Sequence, residues 1–286
     1  MNILLIGSKG QLARELINTC PDEGIVLKAM DLPDIDITDH ASIDRAFDDN
    51  RPGLVINAAA FTNVDGAEKN QEGAYSVNYK GVKNLAQKCL EQKLRMVHIS
   101  TDFIFSGMHS RPYKPHDRAE PLSVYGKSKL EGENALIKIL SRDSIIIRTA
   151  WLYSSLGNNF VNTMLNLMAQ KERLSIVDDQ IGTPTWAHGL ARVIWKAIQH
   201  NLTGIYHWTD SGIASWYDFA VAIQEEALAA GILSKKIPLA PIPSEQYPTP
   251  ARRPSFSVLD TRSIQKLLNI KPVHWRVQLR RMLKEL

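Results

Sequence analysis

Short apolar runs alternate with amphipathic segments through the first half of the chain. Five runs are apolar at consecutive positions, which is typical of strands buried on both faces between layers of helices. The predicted strands are "NILLIG" at 2–7, "IVLKAMD" at 25–31, "GLVINAAA" at 53–60, "RMVHIS" at 95–100 and "SIIIRT" at 144–149. The predicted helices between them cover 10–19, 41–49, 67–92 and 123–140.

This alternation predicts an α/β fold with a Rossmann-type doubly wound parallel sheet. Parallel strands need right-handed crossovers, and the ligand crevice of such a sheet lies beyond the carboxyl ends of its strands. We therefore expect functional side chains directly after each apolar run. We also expect residues 1–150 to form a dinucleotide-binding domain.

The second half of the chain has a different pattern. It contains predicted helices at 158–170, 187–200 and 215–230. Six of the 14 prolines fall between 238 and 254, which predicts a long, stiffened loop and excludes a helix or a central strand there. We expect residues 151–286 to form mainly a smaller α/β substrate-binding lobe, with some segments returning to the first domain.

Composition narrows the class of protein. A chain of 286 residues with 44% hydrophobic content can bury a large core, and a net charge of +4 gives no concentrated basic surface for nucleic acid. We expect Cys20 and Cys89 to be reduced, because they form neither a disulfide framework nor a Cys–His cluster for zinc. The chain starts with a strand-like segment and has no apolar stretch long enough for a bilayer, so we expect a cytoplasmic protein without membrane binding.

The loop "IGSKGQLA" places Gly7 and Gly10 between the first predicted strand and the first predicted helix. Glycine lets the chain turn tightly and lets backbone amides approach a diphosphate at the positive end of a helix dipole. The small Ala13 permits close packing of the helix on the sheet. A tight turn without a ligand is the alternative, but the position at the start of a repeating strand–helix chain favours a dinucleotide.

Asp31 ends the second predicted strand, 21 residues after Gly10. A carboxylate at this point accepts hydrogen bonds from the adenosine ribose and repels a 2′-phosphate, which favours NADH over NADPH. The next two residues supply no arginine for a phosphate. The alternative is an acid in a turn or a helix cap, because Asp34, Asp36 and Asp39 follow closely.

Small and polar residues follow the third and fourth predicted strands. Ala58, Ala59 and Ala60 are too small to fill a core and suit a backbone that lies flat against the middle of a coenzyme, although tight helix–sheet packing would explain them equally well. Thr101 and Asp102, in "STDFIFSG", place a hydroxyl and a carboxylate at the edge of the crevice. The same residue types also form helix caps and turns.

Tyr125 and Lys129 lie four residues apart at the start of the predicted helix over 123–140. Residues at this spacing share a helix face, so both would point into the crevice. An ammonium beside a phenol favours the phenolate and lowers the phenol pKa, which suits proton transfer near neutral pH. The same ammonium can hold the ribose hydroxyls of a nicotinamide, while Thr101 hydrogen-bonds a carbonyl oxygen on which charge develops. A solvated pair would explain the spacing alone, and the order of the preceding motifs favours catalysis.

Several segments together resemble the dTDP-4-dehydrorhamnose reductases of the extended short-chain dehydrogenase/reductase superfamily. They are "GSKGQLA", "NAAAFTNVDGAE", "STDFIFSG", "PLSVYGKSKLEGE", "RTAWLY", "NNFVNTML", "DDQIGTPTW" and "YPTPARRPSFSVLD". The resemblance runs nearly end to end. It implies reduction of the C4 ketone of dTDP-4-dehydro-L-rhamnose by NADH or NADPH, which makes dTDP-L-rhamnose for surface polysaccharides.

The resemblance also implies residue roles. Thr101, Tyr125 and Lys129 become the catalytic set, with Tyr125 giving a proton to the C4 oxygen. The implied coenzyme contacts are Gly7, Gly10, Gln11, Leu12, Asp31, Asp36, Ile37, Ala58, Ala59, Ala60, Tyr125 and Lys129. The implied substrate contacts are Thr101, Asp102, Trp151, Asn159 and Arg252. Alanine at position 13, where the family has a third loop glycine, is a small departure.

Three substrate-side residues carry specific expectations. Trp151 would offer a flat apolar face to a sugar ring. Arg252 would bind the diphosphate of the sugar nucleotide through its guanidinium, and Arg253 is the weaker candidate for the same contact.

His98, inside a buried strand pattern, is predicted to be a hydrogen-bonded core residue and not a ligand.

Two other functional classes stay open at this point. A cofactor-binding regulatory subunit similar to that of methionine adenosyltransferase would share the fold and serve to bind a partner. A nucleotide-sugar epimerase or dehydratase would share the Tyr–Lys pair and retain its NAD, although dehydratases need an acid pair where this chain has only Asp102. We expect no metal-ligand set, and the sequence leaves open a homodimer and Mg²⁺ held by surface acids between two subunits.

Overall fold

The computed structural model describes residues 1–21 and 24–286. The first five strands are β1 (Asn2–Ile6), β2 (Val26–Met30), β3 (Leu54–Asn57), β4 (Arg95–Thr101) and β5 (Ser144–Thr149). One strand from the second half, β10 (Gly204–His207), joins them in a parallel six-stranded sheet with the order β10-β5-β4-β3-β1-β2. The predicted Rossmann-type sheet is confirmed, and its order reverses between β1 and β3, where such folds bind ligands.

The helices of the first half lie on both faces of this sheet. They are α1 (Gln11–Asn18), α2 (His40–Asn50), α3 (Val64–Lys69), α4 (Gln71–Tyr75), α5 (Val82–Glu91) and α6 (Val124–Leu140). The single helix predicted over 67–92 is wrong, because Asn70 ends α3 and its side chain accepts a bond from Gly73 N to begin α4. A π-helical segment, Ser76–Gly81, then joins α4 to α5.

The second half supplies short strands and further helices. The helices are α7 (Phe160–Gln170), α8 (Ala187–Gln199), α9 (Trp216–Ala229), α10 (Arg262–Leu268) and α11 (Trp275–Leu283). The strands outside the main sheet are β6 (Leu152–Tyr153), β7 (Leu174–Val177), β8 (Ile181–Gly182), β9 (Thr185–Trp186), β11 (Ala214–Ser215) and β12 (Leu239–Ile242). They form three two-stranded sheets.

Two sequence expectations need correction. The proline-rich stretch is not loop throughout, because β12 lies in it and pairs with β7 in a two-stranded sheet, where a proline needs no second neighbour. The expectation that β2 is buried on both faces is also wrong. It is the edge strand of the main sheet, and Val26 is 65% exposed.

Alternating side chains of the main sheet build a core on each face. Ile3 and Leu5 of β1 join a cluster with residues of α1, α8 and α10, whereas Leu4 and Ile6 join one with residues of α2, α5 and α6. A third cluster brings together α7, α9 and α11. Helices α8 and α10 pack on the main sheet, and β10 is one of its strands. The second half of the chain is therefore anchored to the main sheet.

Two glycines bring α6 into direct contact with neighbouring backbone. A Cβ built on Gly126 would lie 2.2 Å from the carbonyl oxygen of Phe103, just after β4. A Cβ built on Gly132 would lie 2.1 Å from the carbonyl oxygen of Asn78 in the π-helical segment. The helix therefore lies closer to both backbones than any side chain at these positions would permit.

Gly132→Ala tests this close packing. Alanine normally favours a helix, but here we expect it to lower the free energy of unfolding by about 1–3 kcal/mol, because the methyl group meets backbone that cannot rotate away. Urea denaturation measures the change. Gly53→Ala is the matched control, since its Cβ would make an ordinary 3.5 Å contact with Asn2 O. Equal midpoints for the two variants would contradict the packing argument.

Candidate active site

The glycine loop lies against the end of β3. Gly7 has φ +88°, and a Cβ added to it would lie 2.6 Å from the backbone nitrogen of Ala59. Gly10 is the N-cap of α1 and gives no side-chain capping bond. The first turn of α1 therefore faces the crevice with backbone amides that can bind an anion. The alanines at 58–60 suit this approach, because larger side chains would hold the two backbones apart.

Asp31 lies at the end of β2 beside this loop. Its carboxylate accepts bonds from Lys9 N at 2.9 Å and from Leu32 N at 2.8 Å. The Lys9 ammonium donates to the carbonyl oxygen of Leu32 at 2.5 Å. A cation that sequence reasoning did not consider thus lies in the turn that follows the carboxylate expected to select against a 2′-phosphate.

The other expected coenzyme residues have clear structural roles. Asp36 accepts bonds from the backbone and hydroxyl of Thr38, both at 2.8 Å, in the turn before α2. Ile37 is buried against Gly81, and Leu12 belongs to the core beneath α1. The side chains of Ile37 and Leu12 are therefore packed in the protein, and their backbones are the parts left for a ligand.

The amino-terminal turn of α6 carries Tyr125. Ser123 caps the helix by accepting a bond from Gly126 N at 3.2 Å, and Tyr125 packs edge-on against Phe103. Burial of the phenol raises the pKa of Tyr125 to about 12, the nearby Thr101 hydroxyl lowers it, and the Asp102 carboxylate raises it. The side chains of Thr101 and Tyr125 therefore lie near one another.

The expected effect of Lys129 on Tyr125 is not found. Lys129 is 2% exposed, and its ammonium nitrogen donates to Ile99 O at 2.7 Å and lies 3.4 Å from His98 Nε2. Burial lowers the pKa of Lys129 to about 8, against the opposing effect of Glu133. The prediction that the ammonium lowers the Tyr125 pKa is wrong for this arrangement, because the amine is turned toward β4 and desolvation dominates at the phenol.

Asp102 is a second acid beside the phenol. Burial raises the pKa of Asp102 to about 6, while the nearby Ser257 hydroxyl and a hydrogen bond from Thr101 lower it. Its side chain is 2% exposed, and Thr101 Oγ1 donates to its Oδ1 at 3.1 Å. The carboxylate thus orients the Thr101 hydroxyl toward itself, which leaves the Thr101 oxygen free to accept a further bond.

Trp151 and Trp216 form a stacked pair at the edge of the second half. Their ring centroids are 3.5 Å apart with an angle of 4° between the planes. Trp151 has φ +46°, an unusual conformation for a large residue, and its indole lies against Gly182. Trp216 Nε1 donates to Gln180 Oε1 at 3.2 Å. One face of the Trp151 ring is therefore covered by Trp216, which the sequence argument missed because nothing near position 216 suggested a ring partner.

Gln11 and Asn159 link the glycine loop to the second half. Gln11 Nε2 donates to Leu152 O at 3.1 Å, and Asn159 Nδ2 lies 3.4 Å from Gln11 Oε1. Asn159 is also the N-cap of α7, accepting from Asn162 N at 3.1 Å. These two expected binding residues therefore hold the walls of the crevice to one another.

The two arginines of the proline-rich segment differ in environment. Arg253 donates to both carboxylate oxygens of Asp65 in α3, at 2.7 and 3.1 Å, and this pair lowers the pKa of Asp65. Arg252 is exposed. Arg253 therefore fastens the segment to α3, while Arg252 keeps a guanidinium in solvent, as the sequence argument preferred.

Asn78 of the π-helical segment was missed from the sequence. It exchanges hydrogen bonds with the backbone of Phe61 at 2.9 and 3.1 Å, and it donates to Ser128 Oγ at 3.0 Å. Ser128 in turn donates to Tyr125 O at 2.8 Å. This chain fixes the amino-terminal turn of α6 relative to the loop after β3. Polar residues are frequent in this part of the sequence, so its pattern gave no signal for Asn78.

The residues present fit a dinucleotide coenzyme. The Gly7 backbone lies where any Cβ would collide, the first turn of α1 has uncapped amides, and Asp31 stands at the end of the neighbouring strand. In contrast, residues 1–21 and 24–286 contain no group of three or more His, Cys, Asp or Glu side chains placed to hold a metal ion. No helix in these same ranges is long and apolar enough to cross a membrane.

A parallel α/β sheet, a glycine loop at its switch point and a Thr–Tyr–Lys set along β4 and α6 together define a protein of the extended short-chain dehydrogenase/reductase type. The chain matches the family described as RmlD substrate binding domain over residues 1–286. It therefore belongs to this family, and the resemblance found in the motifs is confirmed.

Named relatives agree with this assignment. The chain is 42% identical over 282 residues to a dTDP-4-dehydrorhamnose reductase of Aggregatibacter actinomycetemcomitans, covering 96% of this chain and 95% of the relative. It is 41% identical over 284 residues to the spore coat polysaccharide biosynthesis protein SpsK of Bacillus subtilis, covering 99% and 97%. The crystal structure of a Bacillus anthracis dTDP-4-dehydrorhamnose reductase in complex with NADP superposes with a TM-score of 0.93 at 32% identity, covering 100% and 99%.

Proposed function

We propose that this protein reduces the C4 ketone of dTDP-4-dehydro-L-rhamnose to dTDP-L-rhamnose, using NADPH or NADH, for the synthesis of rhamnose-containing polysaccharide. The observation that carries the proposal is the proximity of Thr101, at the carboxyl end of β4, to Tyr125, in the first turn of α6. Full-length relatives named dTDP-4-dehydrorhamnose reductase at about 40% identity supply the substrate.

Reduction of the ketone needs a hydride at C4, a proton on the C4 oxygen and stabilisation of the negative charge that develops on that oxygen. The bound coenzyme supplies the hydride that forms the new C–H bond at C4. Tyr125 gives its proton to the C4 oxygen as the C=O bond becomes a C–O single bond. Thr101, once its hydroxyl turns from Asp102, donates a second hydrogen bond to that oxygen. Because burial keeps the phenol protonated at neutral pH, Tyr125 is poised as an acid for reduction.

The remaining predicted contacts divide between the two halves of the chain. Residues 1–150 hold the coenzyme through the loop of Gly7 and Gly10 and through Asp31, while Lys129 as an ammonium binds the ribose beside the nicotinamide. Residues 151–286 hold the sugar nucleotide, with Trp151 against the sugar and Arg252 at the diphosphate. Asp102 and Asn159 remain predicted substrate contacts. We expect the enzyme in the cytoplasm, and a homodimer remains a prediction.

Removal of one hydroxyl tests the reaction. Tyr125→Phe should lower turnover of dTDP-4-dehydrorhamnose at least about a hundredfold, because a positioned proton donor is lost. The assay follows NADPH oxidation and identifies the sugar product. Tyr206→Phe is the matched control, since that hydroxyl donates to Thr203 O at 2.9 Å, on β10 and away from Tyr125, and its activity should be unchanged.

Two outcomes would count against this function. Undiminished turnover by Tyr125→Phe would remove the proposed acid. Tight coenzyme binding by the wild-type protein without turnover of any dTDP-linked keto sugar would instead support a regulatory subunit that uses the same fold to bind a partner.

Substitution of Lys9 tests how the protein distinguishes NADPH from NADH. Its ammonium lies beside the Asp31 turn, where a 2′-phosphate would add two negative charges, so Lys9→Ala should weaken NADPH binding about tenfold and leave NADH binding nearly unchanged. Quenching of protein fluorescence measures both Kd values. Lys28→Ala removes an exposed cation from the same edge strand and should change neither Kd. Equal NADPH affinity in wild type and Lys9→Ala would contradict a role for Lys9.

A further inference from the structure

A line of buried polar groups connects β3, β4 and α6. Asn57 and His98 face each other in register across β3 and β4, and both are fully buried. Asn57 Nδ2 lies 3.2 Å from His98 Nδ1, and His98 Nε2 lies 3.4 Å from Lys129 Nζ. The expectation that His98 is a hydrogen-bonded core residue therefore holds, but one of its two partners is the proposed catalytic lysine.

The orientation of the Asn57 amide fixes the direction of these bonds. The backbone N–H of Ala59 donates to Asn57 Oδ1 at 3.1 Å, which turns the amide nitrogen toward His98. An amide nitrogen can only donate, so His98 Nδ1 is the acceptor and carries no proton. Burial lowers the pKa of His98 well below its usual value, so the ring is neutral. A neutral ring without a proton on Nδ1 carries it on Nε2, facing Lys129.

A neutral Lys129 amine completes this series of hydrogen bonds better than an ammonium. An ammonium has three donors and no acceptor, so the His98 Nε2–H would face another N–H. A neutral lysine offers its lone pair to that N–H and still donates to Ile99 O at 2.7 Å. From Ala59 to Ile99, every bond then pairs one donor with one acceptor. Such complete pairing is what buried polar networks require.

Among the polar groups around Lys129, His98 is the direct neighbour whose hydrogen bonding differs between the ammonium and the neutral amine. Glu133, one turn along α6, raises the pKa of Lys129. Arg148 from β5 holds Glu133 with bonds of 2.6 to 3.2 Å, which offsets its charge. Asp102, just after β4, acts on Tyr125. The π-helical segment contributes the neutral Asn78, which hydrogen-bonds Ser128 of α6.

We propose that Asn57 and His98 are positioning residues that hold Lys129 against β4 and favour its neutral amine over its ammonium. Lys129 must then leave Ile99 and His98 to act as the ammonium of the proposed reductase mechanism. The proposal rests on the proposed reductase function only for the part that Lys129 plays in catalysis. The resting arrangement is a property of the folded protein and can be measured without catalysis.

Nitrogen NMR of the wild-type protein, prepared free of coenzyme, tests the arrangement directly. In histidine-labelled protein the proton of His98 should reside on Nε2, with Nδ1 unprotonated. A proton on Nδ1 would overturn the proposal without the need for any variant. In lysine-labelled protein, assigned by loss of the signal in Lys129→Met, a pH titration then reports when Lys129 becomes charged.

Two substitutions should move that titration in the same direction. His98→Phe removes the Nε2–H donor and should raise the Lys129 pKa by about one unit, a tenfold change in the equilibrium. Asn57→Asp should raise it by at least about as much, because a carboxylate accepts the Nδ1 proton and leaves Nε2 to accept from the ammonium. In that variant the proton of His98 should be found on Nδ1.

Another histidine provides the matched control. His188 of α8 lies 3.1 Å from Glu15 Oε2 and stacks on Trp186, which is a different set of contacts from that of Lys129. His188→Phe should therefore leave the Lys129 titration unmoved. A Lys129 pKa that stays unchanged in both His98→Phe and Asn57→Asp, or that moves equally in His188→Phe, would overturn the proposal. None of these readings depends on turnover, so failure here is distinct from failure of the reductase function.

Discussion

Backbone-to-backbone packing along α6 is the constraint on which the site depends. Gly126 and Gly132 let the helix approach the end of β4 and the π-helical segment to distances that exclude a Cβ. At this separation, the first turn of α6 brings Tyr125 to Thr101, and the next turn drives Lys129 into the protein beside β4. The proposed acid and its neighbouring amine therefore have different environments, although they lie only one helical turn apart.

Burial gives those two groups opposite changes in proton affinity. Desolvation disfavours the charged form of each, so it raises the pKa of Tyr125 and lowers the pKa of Lys129. The phenol remains a proton donor at neutral pH, and the amine lies near the point where it can be charged or neutral. A site of this kind favours giving a proton to a developing alkoxide, which is the requirement of ketone reduction. Thr101 donates to Asp102 in this structure, and its hydroxyl must turn toward that oxygen to supply the second contact.

Much of the architecture was predictable because apolar periodicity reports which face of an element is buried. The five strands of the first half and α6 were found within a few residues, and the order of their motifs indicated the crevice. The segmentation of 67–92 was missed, since Asn70 acts through a local cap inside an otherwise continuous helical pattern. The relation of Asn57 to His98 was also missed, because partners 41 residues apart become visible only with the register of the sheet. The Tyr125 pKa was predicted in the wrong direction because spacing reports a shared face but not the direction of the amine.

The most direct test of the account is a crystal structure with NADP⁺ and dTDP-L-rhamnose bound together. We predict the Tyr125 hydroxyl within about 2.6–3.2 Å of the O4 atom of the sugar, with Thr101 on the same oxygen and C4 facing the nicotinamide. Lys129 should have turned from Ile99 toward the ribose. A sugar bound with O4 beyond reach of Tyr125, while C4 still faces the nicotinamide, would contradict the assignment of this phenol as the proton donor.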